Sequence, residues 1–429
     1  MEKRTILTIF LLGVISMVFC DKLHVKAETI TRETIDEVDM RLKLLNKRAV
    51  KSIKSRDGDI IDCVDIYKQP VFNHPALRNH KIQMKPSFHV ASSETPTSKN
   101  DTSHQVVSQT WQRSGGFCPN ATIPIRRIRR KDLLAANSLN RFGKKNPQPH
   151  LYAATNTTEN HRPAVVYVND TKAGLGQVNR SAAVLLTVGY NFIGAQGDIN
   201  LWNPRVSSPE DYSAAQIWLK NGPAESFESV EAGWMVNPKL YGDTLSRLFI
   251  YWTTDAYKST GCFDLTCSGF VQTNPKVVLG AALEPCSSEM GPQYQMTVSI
   301  NMDPSTSNWW LRLGQGNPVG YWPGTLFNYL QHSAILVEWG GEVYSPNVKK
   351  SPHTTTAMGS GDYASTLEGS ACYVKQVRIV DYSLALKYPE WVGTWADEDY
   401  CYSAYNYIQR YGVEPVLYFG GPGRNTLCP

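Results

Sequence analysis

The chain has 429 residues, of which 42% are hydrophobic and 19% are charged, with a formal net charge of +5. This composition excludes a largely disordered protein, and the length predicts one large or two medium domains, each with its own core. The chain also contains 11 Trp and 22 Tyr. Because aromatic side chains favour β-strands and flat recognition surfaces, a β-rich fold is expected.

Residues 1–27 have the pattern of a secretory signal peptide. Lys3 and Arg4 form a short basic region, and the apolar run that ends at Cys20 is shorter than a membrane span. Cleavage after Cys20 and cleavage after Ala27 both fit the pattern, and an uncleaved anchor is the alternative. We expect a mature protein that is secreted to the extracellular space or cell wall, with the vacuole as the alternative destination.

Residues 28–155 form the first predicted unit, a small domain of mixed structure. Apolar residues near helical spacing, among them Val38 and Leu45, predict a helix between residues 28 and 56. The elements predicted after it are a turn at 56–59, a strand at 60–67, a polar loop at 91–108 and a strand at 121–128.

A string of helix- and strand-breaking residues at 143–149, followed by small polar residues to position 162, is a candidate linker and protease target. Residues 1–160 contain 26 Lys and Arg against 15 Asp and Glu, whereas the remainder contains 17 against 23. A basic module beside an acidic one is typical of an inhibitory prosegment that docks by electrostatic attraction. Binding of nucleic acid or an anionic membrane is the alternative. For nucleic acid, the basic run at 126–131 lacks the interleaved aromatic residues that such binding favours.

Residues 156–429 form the second predicted unit, in which short runs of Val, Ile, Tyr and Trp are separated by Gly, Pro, Asn and Asp. The predicted strands are 164–167, 182–188, 215–219, 248–252, 295–300, 309–313, 334–337 and 374–380. Many short strands without a long amphipathic helix predict a sandwich or a barrel.

Eight cysteines remain when Cys20 is assigned to the signal region, and an even number in an oxidising compartment predicts disulfides. Spacing favours a local Cys262–Cys267 bond, and Cys63 and Cys118 are candidates for a second bond within the first unit. The other four allow three connectivities and are Cys286, Cys372, Cys401 and Cys428. Five sequons predict N-glycosylation at Asn100, Asn120, Asn156, Asn169 and Asn179.

Several common hydrolytic mechanisms lack their motifs in this sequence. It contains no G-x-S-x-G elbow, no H-E-x-x-H helix and no phosphate loop. The second unit contains three histidines, and a Ser–His mechanism would have to use His332 or His353, neither of which has a nucleophile motif beside it. Oxidised cysteines would not serve as nucleophiles, so carboxylates remain as the candidate catalytic groups.

Two local strings place acids in aromatic, glycine-containing strands. Glu231 stands beside Gly233 and Trp234, and Glu338 and Glu342 flank a Gly–Gly pair. Because side chains alternate along a strand, Glu338 and Glu342 would share one face. Each acid taken alone could equally be a solvated strand residue.

These strings also resemble the two catalytic segments of the plant neprosin family, EAGW at 231–234 and EWGGE at 338–342. Residues 62–70 (DCVDIYKQP) resemble the family's activation-peptide motif. Further strings match in the same order at 118–127, 251–253, 261–272, 308–310, 319–323, 353–355 and 420–423. The sequence departs from the family's pattern by its insertion at 91–108 and by Cys286 and Cys372.

The resemblance implies an antiparallel, jelly-roll-like β-sandwich peptidase, preceded by a smaller mixed activation domain that is cut away. It implies catalysis by Glu231 and Glu342, without cofactor or metal, and acid-active cleavage of peptide bonds after proline. The expected partners are a peptide or protein substrate and the chain's own prodomain as inhibitor, in a monomer. The aromatic residues beside the key motifs are the expected groove residues, namely Trp234, Tyr321, Trp322 and Trp339.

Two carboxylates that face one cleft can supply both the base that activates water and the acid that protonates the leaving nitrogen. Like charges at close range drive their pKa values apart, so the pair would act on the acidic side of neutral. Two alternatives stay open at this stage. One is a non-catalytic β-sandwich that binds cell-wall polysaccharide, and the other is a glycoside hydrolase, which also uses paired carboxylates.

Overall fold

The computed structural model describes residues 35–88, 90–92, 107–136, 138–145, 179–314, 318–410 and 412–429. The signal region, the predicted strand at 164–167 and the sequons at Asn100, Asn156 and Asn169 lie outside these ranges. Of the helices within them, none has both the length and the apolar character needed to cross a membrane.

The N-terminal unit, defined here as residues 35–145, contains two α-helices and five strands in its described residues. The helix α1 spans residues 35–45. The other elements are β1 Ala49–Lys54, β2 Ile60–Asp65, β3 Ala91–Ser92, β4 Ser108–Gln109, β5 Thr122–Arg126 and α2 Arg130–Leu134. Short 3₁₀-helices occupy Ile66–Lys68, Pro70–Asn73, Pro75–Leu77, Thr110–Ser114 and Leu139–Arg141.

The predicted helix between residues 28 and 56 is wrong in its second half. The helix ends at residue 45, and β1 then pairs with β2 around the predicted turn at Asp57 and Gly58. Val50, which fitted the helical spacing, is an exposed strand residue. Residues 49–54 join the β1–β2–β5 sheet instead, because cross-strand pairing outweighs a weak local helical pattern.

Nearly all of the regular secondary structure in the described part of the C-terminal unit, residues 179–429, consists of β-strands. The first of these are β6 Arg180–Phe192, β7 Gly194–Asn200, β8 Tyr212–Asn221, β9 Glu228–Val236, β10 Arg247–Thr253, β11 Val271–Gln272, β12 Leu283–Glu284 and β13 Gln295–Met302. The remainder are β14 Trp309–Leu313, β15 Pro318–Trp322, β16 Ala334–Tyr344, β17 Cys372–Val380, β18 Ala385–Lys387, β19 Gly393–Ala396, β20 Ser403–Tyr407 and β21 Val416–Gly420. Helix α3 spans Pro238–Tyr241, and 3₁₀-helices span Gly324–Leu326 and Ala364–Thr366.

These strands form two packed sheets. The smaller sheet has the order β10-β9-β8-β16-β6-β19 and is antiparallel throughout. The larger sheet has the order β11-β15-β14-β13-β7-β17-β18-β3, with β21 paired to β17 and β20 to β21. One buried apolar cluster contains residues from both sheets. The fold is therefore an antiparallel β-sandwich, as predicted, and its core lies between the two sheets.

The N-terminal unit completes its apolar clusters against the C-terminal unit. Ile61 and Trp111 pack in one cluster with Val278, and a second cluster joins Val71 to Trp310. In addition, β3 pairs with β18 and so extends the larger sheet, and β4 pairs with β12 in a separate two-stranded sheet shared by the two units. Since the unit buries its apolar side chains on its neighbour, contacts between the two units stabilise its fold.

The described residues contain three disulfides. Cys63–Cys118 and Cys262–Cys267 confirm the predicted pairs, and Cys401–Cys428 is one of the bonds left open. In the described part of the chain, Cys286 and Cys372 are free thiols, which corrects their assignment to disulfides. The Cys372 side chain lies in the sandwich core, where a thiol packs as a small apolar group.

Candidate active site

Glu231 and Glu342 project from the same face of the smaller sheet, the face turned away from the sandwich core. Glu231 lies on β9 and Glu342 on β16, and β8 separates the two strands. Trp218 of β8 is paired with Glu231, whereas Glu342 is paired with Ala214, four residues away along β8. The alternation of side chains along each strand therefore brings the two acids to one surface from different levels of the sheet.

A single lysine from the N-terminal unit contacts both acids. The Lys145 Nζ atom lies 2.7 Å from Glu231 Oε2 and 3.1 Å from Glu342 Oε1. All three side chains are almost completely buried. The structure thus brings together the two predicted catalytic residues, and it does so around an ammonium group that sequence reasoning missed.

The lysine is held in a cage of tyrosine rings. Its Nζ atom lies 5.2 Å from the ring centre of Tyr251 and 4.9 Å from that of Tyr257. The backbone N–H of Lys145 donates to the Tyr251 hydroxyl at 3.1 Å. Cation–π attraction and this hydrogen bond therefore position the ammonium group between the two carboxylates.

Hydroxyl groups surround the carboxylates themselves. Glu231 accepts hydrogen bonds from Tyr257 at 2.5 Å and from Ser229 at 2.7 Å. Glu342 accepts one from Tyr212 at 2.6 Å, and Arg180 in turn donates to the Tyr212 oxygen at 3.2 Å. Each acid therefore has donors of its own in addition to the shared lysine.

The charges beside Glu342 decide its protonation. Burial alone would raise the pKa of Glu342, but the nearby Lys145 and Arg180 and the hydrogen bond from Tyr212 lower it to about 2. Burial and the neighbouring carboxylates raise the pKa of Tyr212 and Tyr257 well above the usual range, so both stay protonated as donors. With Lys145 in place, Glu342 is ionised at any ordinary pH.

A cavity of about 260 Å³ extends from Glu342 across β16, β6 and β19. Its aromatic walls are Trp218, Trp391 and Trp395, and the last two are about half exposed, at 53% and 50%. Its remaining lining includes aliphatic side chains of β6 and the ion pair between Lys220 and Glu338. An apolar groove with a few polar groups beside paired acids fits a bound organic ligand.

The four aromatic residues predicted to line the groove do not line this cavity. Trp234, Trp322 and Trp339 are core residues with 0% exposure, which corrects the expectation that they are exposed. Trp234 lies three positions from Glu231, and Trp339 lies three from Glu342, so alternation directs these rings to the opposite face. Tyr321 is also buried, and its hydroxyl contacts His80 of the N-terminal unit at 2.8 Å.

The contacts between the units do not follow a simple basic-on-acidic pattern. Lys145 obeys it, since a cation of the N-terminal unit meets anions of the C-terminal unit. Asp59 reverses it, because this acid of the N-terminal unit lies 2.5 Å from the buried Arg247 of the C-terminal unit. Arg126 also pairs with Asp59, at 3.2 Å. Specific buried pairs, more than net charge, therefore set the register of docking.

Comparison with known protein families identifies the family to which this architecture belongs. The neprosin family model matches residues 209–422, and the neprosin activation peptide model matches residues 52–167. The two matches occur in the order that the fold shows, a docked N-terminal unit followed by a β-sandwich. The class of protein defined by the fold and the family matches is a glutamic-type peptidase with an activation peptide. The chain belongs to the neprosin family.

Solved structures with a similar fold include scytalido-glutamic peptidase with a transition state analog inhibitor, at 10% identity and a TM-score of 0.33. That match covers 57% of this chain and 98% of the other. SCP-B, a member of the eqolisin family of peptidases in a complex with the tripeptide Ala-Ile-His, matches with 10% identity and a TM-score of 0.28, over 57% and 98% of the two chains. At these scores the likenesses add nothing to the family assignment.

Proposed function

We propose that this protein is the precursor of a secreted glutamic endopeptidase that cleaves peptide bonds after proline at acidic pH. The observation that carries the proposal is the convergence of Glu231 and Glu342 on the ammonium group of Lys145. Two buried carboxylates within reach of one nitrogen are placed to act together on one substrate. The N-terminal unit is the prosegment, and the Lys145 ammonium group occupies the place between the two acids where the reacting groups of a substrate would lie.

Peptide hydrolysis begins when Lys145 has left the site between the two acids. Among the described residues, Arg180 is then the cation that remains beside Glu342, so the pair of buried carboxylates keeps one proton. Arg180 and Tyr212 continue to favour the ionised form of Glu342, which makes it the general base that takes a proton from water. Glu231 carries the proton and donates it to the departing nitrogen. Activity at acidic pH follows, because one carboxyl must be protonated.

The aromatic cavity beside Glu342 is the proposed binding site for the substrate chain. A proline ring is compact and apolar, and it packs well on the flat face of an indole. Trp391 and Trp395 offer such faces at the edge of the sheet and are half exposed even in the precursor. The cavity thus supports recognition of an apolar residue near the scissile bond.

Replacing either indole should weaken substrate binding more than catalysis. We expect Trp391→Ala and Trp395→Ala each to raise KM for a proline-containing peptide about fivefold, since a stacked aromatic contact contributes about 1 kcal/mol. The value of kcat should change little, because the rings do not contact the acids. Steady-state kinetics of the processed enzyme measure both quantities. Tyr405→Ala is the matched control, because Tyr405 is an exposed aromatic residue outside the cavity. An unchanged KM in both tryptophan variants would remove the cavity from the binding site.

Acid should weaken the hold of the cleaved prosegment. In the precursor the pKa of Glu342 is lowered to about 2 by charges that include Lys145, so departure of the lysine raises it. The lysine's contribution to binding is therefore complete above the pKa of the free site and is lost as the pH falls from that value toward 2. We expect the affinity of the cleaved prosegment to fall up to about tenfold per pH unit in this window. Binding titrations across the acidic range measure this affinity, and an affinity that does not change with pH would contradict the proposed contribution of Lys145 to prosegment binding.

The activity itself is tested by incubating the secreted, acid-treated protein with a library of proline-containing peptides. Cuts clustered after proline support the proposed specificity, and cuts elsewhere replace it with another. Absence of cleavage by a folded, processed protein would refute the peptidase proposal. Recovery of the protein from the culture medium, with its N-terminus determined, tests secretion. The same sample shows whether glycans occupy Asn120, which is exposed, and Asn179, which is partly buried.

A further inference from the structure

The central strand of the smaller sheet places a third polar side chain between the two acids. Gln216 lies on β8, directly opposite Gly233 of β9 and Gly340 of β16. Glu231 is two residues from Gly233, and Glu342 is two residues from Gly340, so both acids are diagonal cross-strand neighbours of Gln216. Diagonal neighbours on one face lie about 7–8 Å apart and are within reach of long side chains.

The amide of Gln216 is buried without a protein partner. Its side chain has 0% exposure, and neither Nε2 nor Oε1 makes a hydrogen bond to any residue in the described ranges. A buried amide in this state costs free energy, and native proteins satisfy most such groups. A buried amide that lacks a partner at the centre of a site, at a cost in free energy, is a candidate for a hydrogen bond to the substrate.

Glycines lie directly beside Gln216 on both adjacent strands. No side chain rises from the positions directly beside Gln216 on either adjacent strand, because both are glycine. These strands also approach closely, since a Cβ atom on Gly233 would lie 2.0 Å from the carbonyl oxygen of Ala215. The two acids therefore flank the Gln216 carboxamide on this face of the sheet.

We propose that Gln216 donates its side-chain N–H to the carbonyl oxygen of the scissile bond and stabilises the oxyanion that forms there. This inference rests on the proposed peptidase function. Glu342 takes a proton from water, the water oxygen bonds to the carbonyl carbon, and the carbonyl electron pair moves onto its oxygen. Gln216 donates to that oxygen. The C–N bond then breaks as the carbonyl re-forms, and Glu231 gives its proton to the nitrogen.

The assignment predicts loss of rate without loss of stability. Gln216→Met in the processed enzyme should lower kcat by about 10²–10³-fold, the usual effect of removing one oxyanion donor, and should leave KM nearly unchanged. The midpoint of thermal unfolding should stay the same or rise, because the native fold gains no hydrogen bond from the amide. Affinity for a peptide with a phosphinate in place of the scissile bond should fall in parallel with kcat/KM, while affinity for a product peptide should not.

Ser213→Ala is the matched control. Ser213 lies on the same strand, is also buried and also has an unpartnered polar atom, but alternation directs it to the opposite face. Its kcat should equal that of the wild type. A folded Gln216→Met variant with wild-type kcat would overturn the assignment. So would a marked fall in its unfolding temperature, which would show that the amide stabilises the fold. Inactivity of the wild type and of Ser213→Ala would instead refute the peptidase function itself.

Discussion

Glu231→Gln and Glu342→Gln should each lower kcat for peptide cleavage by about 10³-fold in the processed enzyme. Each substitution keeps the size of the side chain and removes its ability to exchange a proton. The double variant should be scarcely worse than either single one, since the two acids act as a unit on one substrate. Initial rates with a proline-containing peptide, at pH values across the acidic range, measure the effect.

Glu338→Gln is the internal control for this experiment. Glu338 lies on the same face of β16 as Glu342, four residues away, but it pairs with Lys220 and makes no contact with Lys145. We expect its kcat to stay within about tenfold of the wild type. If Glu338→Gln were inactive and Glu342→Gln active, the roles assigned along β16 would have to be exchanged.

The two acids can also be told apart. A peptide analogue with a good leaving group, such as a nitroanilide, needs little help from a general acid. It should recover much of the rate lost in Glu231→Gln, the proposed acid variant. It should not recover the rate lost in Glu342→Gln, because water activation is still required. The reverse result would assign Glu231 as the base.

Local patterns were sufficient to predict seven strands of the sandwich, namely β6, β8, β10, β13, β14, β16 and β17. Runs such as 215–219 and 248–252 lie inside β8 and β10, because alternating apolar residues and flanking turn residues are properties of a few neighbouring positions. The two acids were found in the same way, from strings beside Gly and Trp that also resemble a family. These strings do not contain β8, the strand that separates the two acid-bearing strands in the sheet. The role of β8, and with it Gln216, depends on sheet order, which is a long-range property.

The sequence patterns missed some residues of the site and favoured others wrongly for related reasons. Lys145 lies in a string that pattern reasoning assigned to a linker, and its partners are 86 and 197 residues away in sequence. Trp395 lies on β19, the edge strand of the smaller sheet, and Trp391 just before it, both far in sequence from either acid motif. Proximity in sequence favoured Trp234 and Trp339 instead, although their spacing of three from the acids already indicated the opposite face.

Lys145→Met should make the uncleaved precursor active. Methionine fills much of the same space but leaves the two buried carboxylates without the shared cation. Removing one partner of a buried ion pair costs about 3–5 kcal/mol, because the remaining charge is desolvated and unpaired. The fraction of precursor with an open site should therefore rise on the order of 10²–10³-fold. Cleavage of a short fluorogenic peptide by precursor that remains intact on a gel measures this rise.

The neighbouring lysine supplies the matched control. The Lys144 side chain donates to the carbonyl oxygen of Ser259 at the surface and contacts neither acid, so Lys144→Met should leave the precursor inactive. Lys145→Arg keeps the positive charge and should retain most of the latency. If Lys145→Met precursor were as inactive as the wild type, yet fully active after linker cleavage, latency would have to come from steric cover by the N-terminal unit. The ammonium group would then serve only to neutralise the two acids until the first substrate arrives.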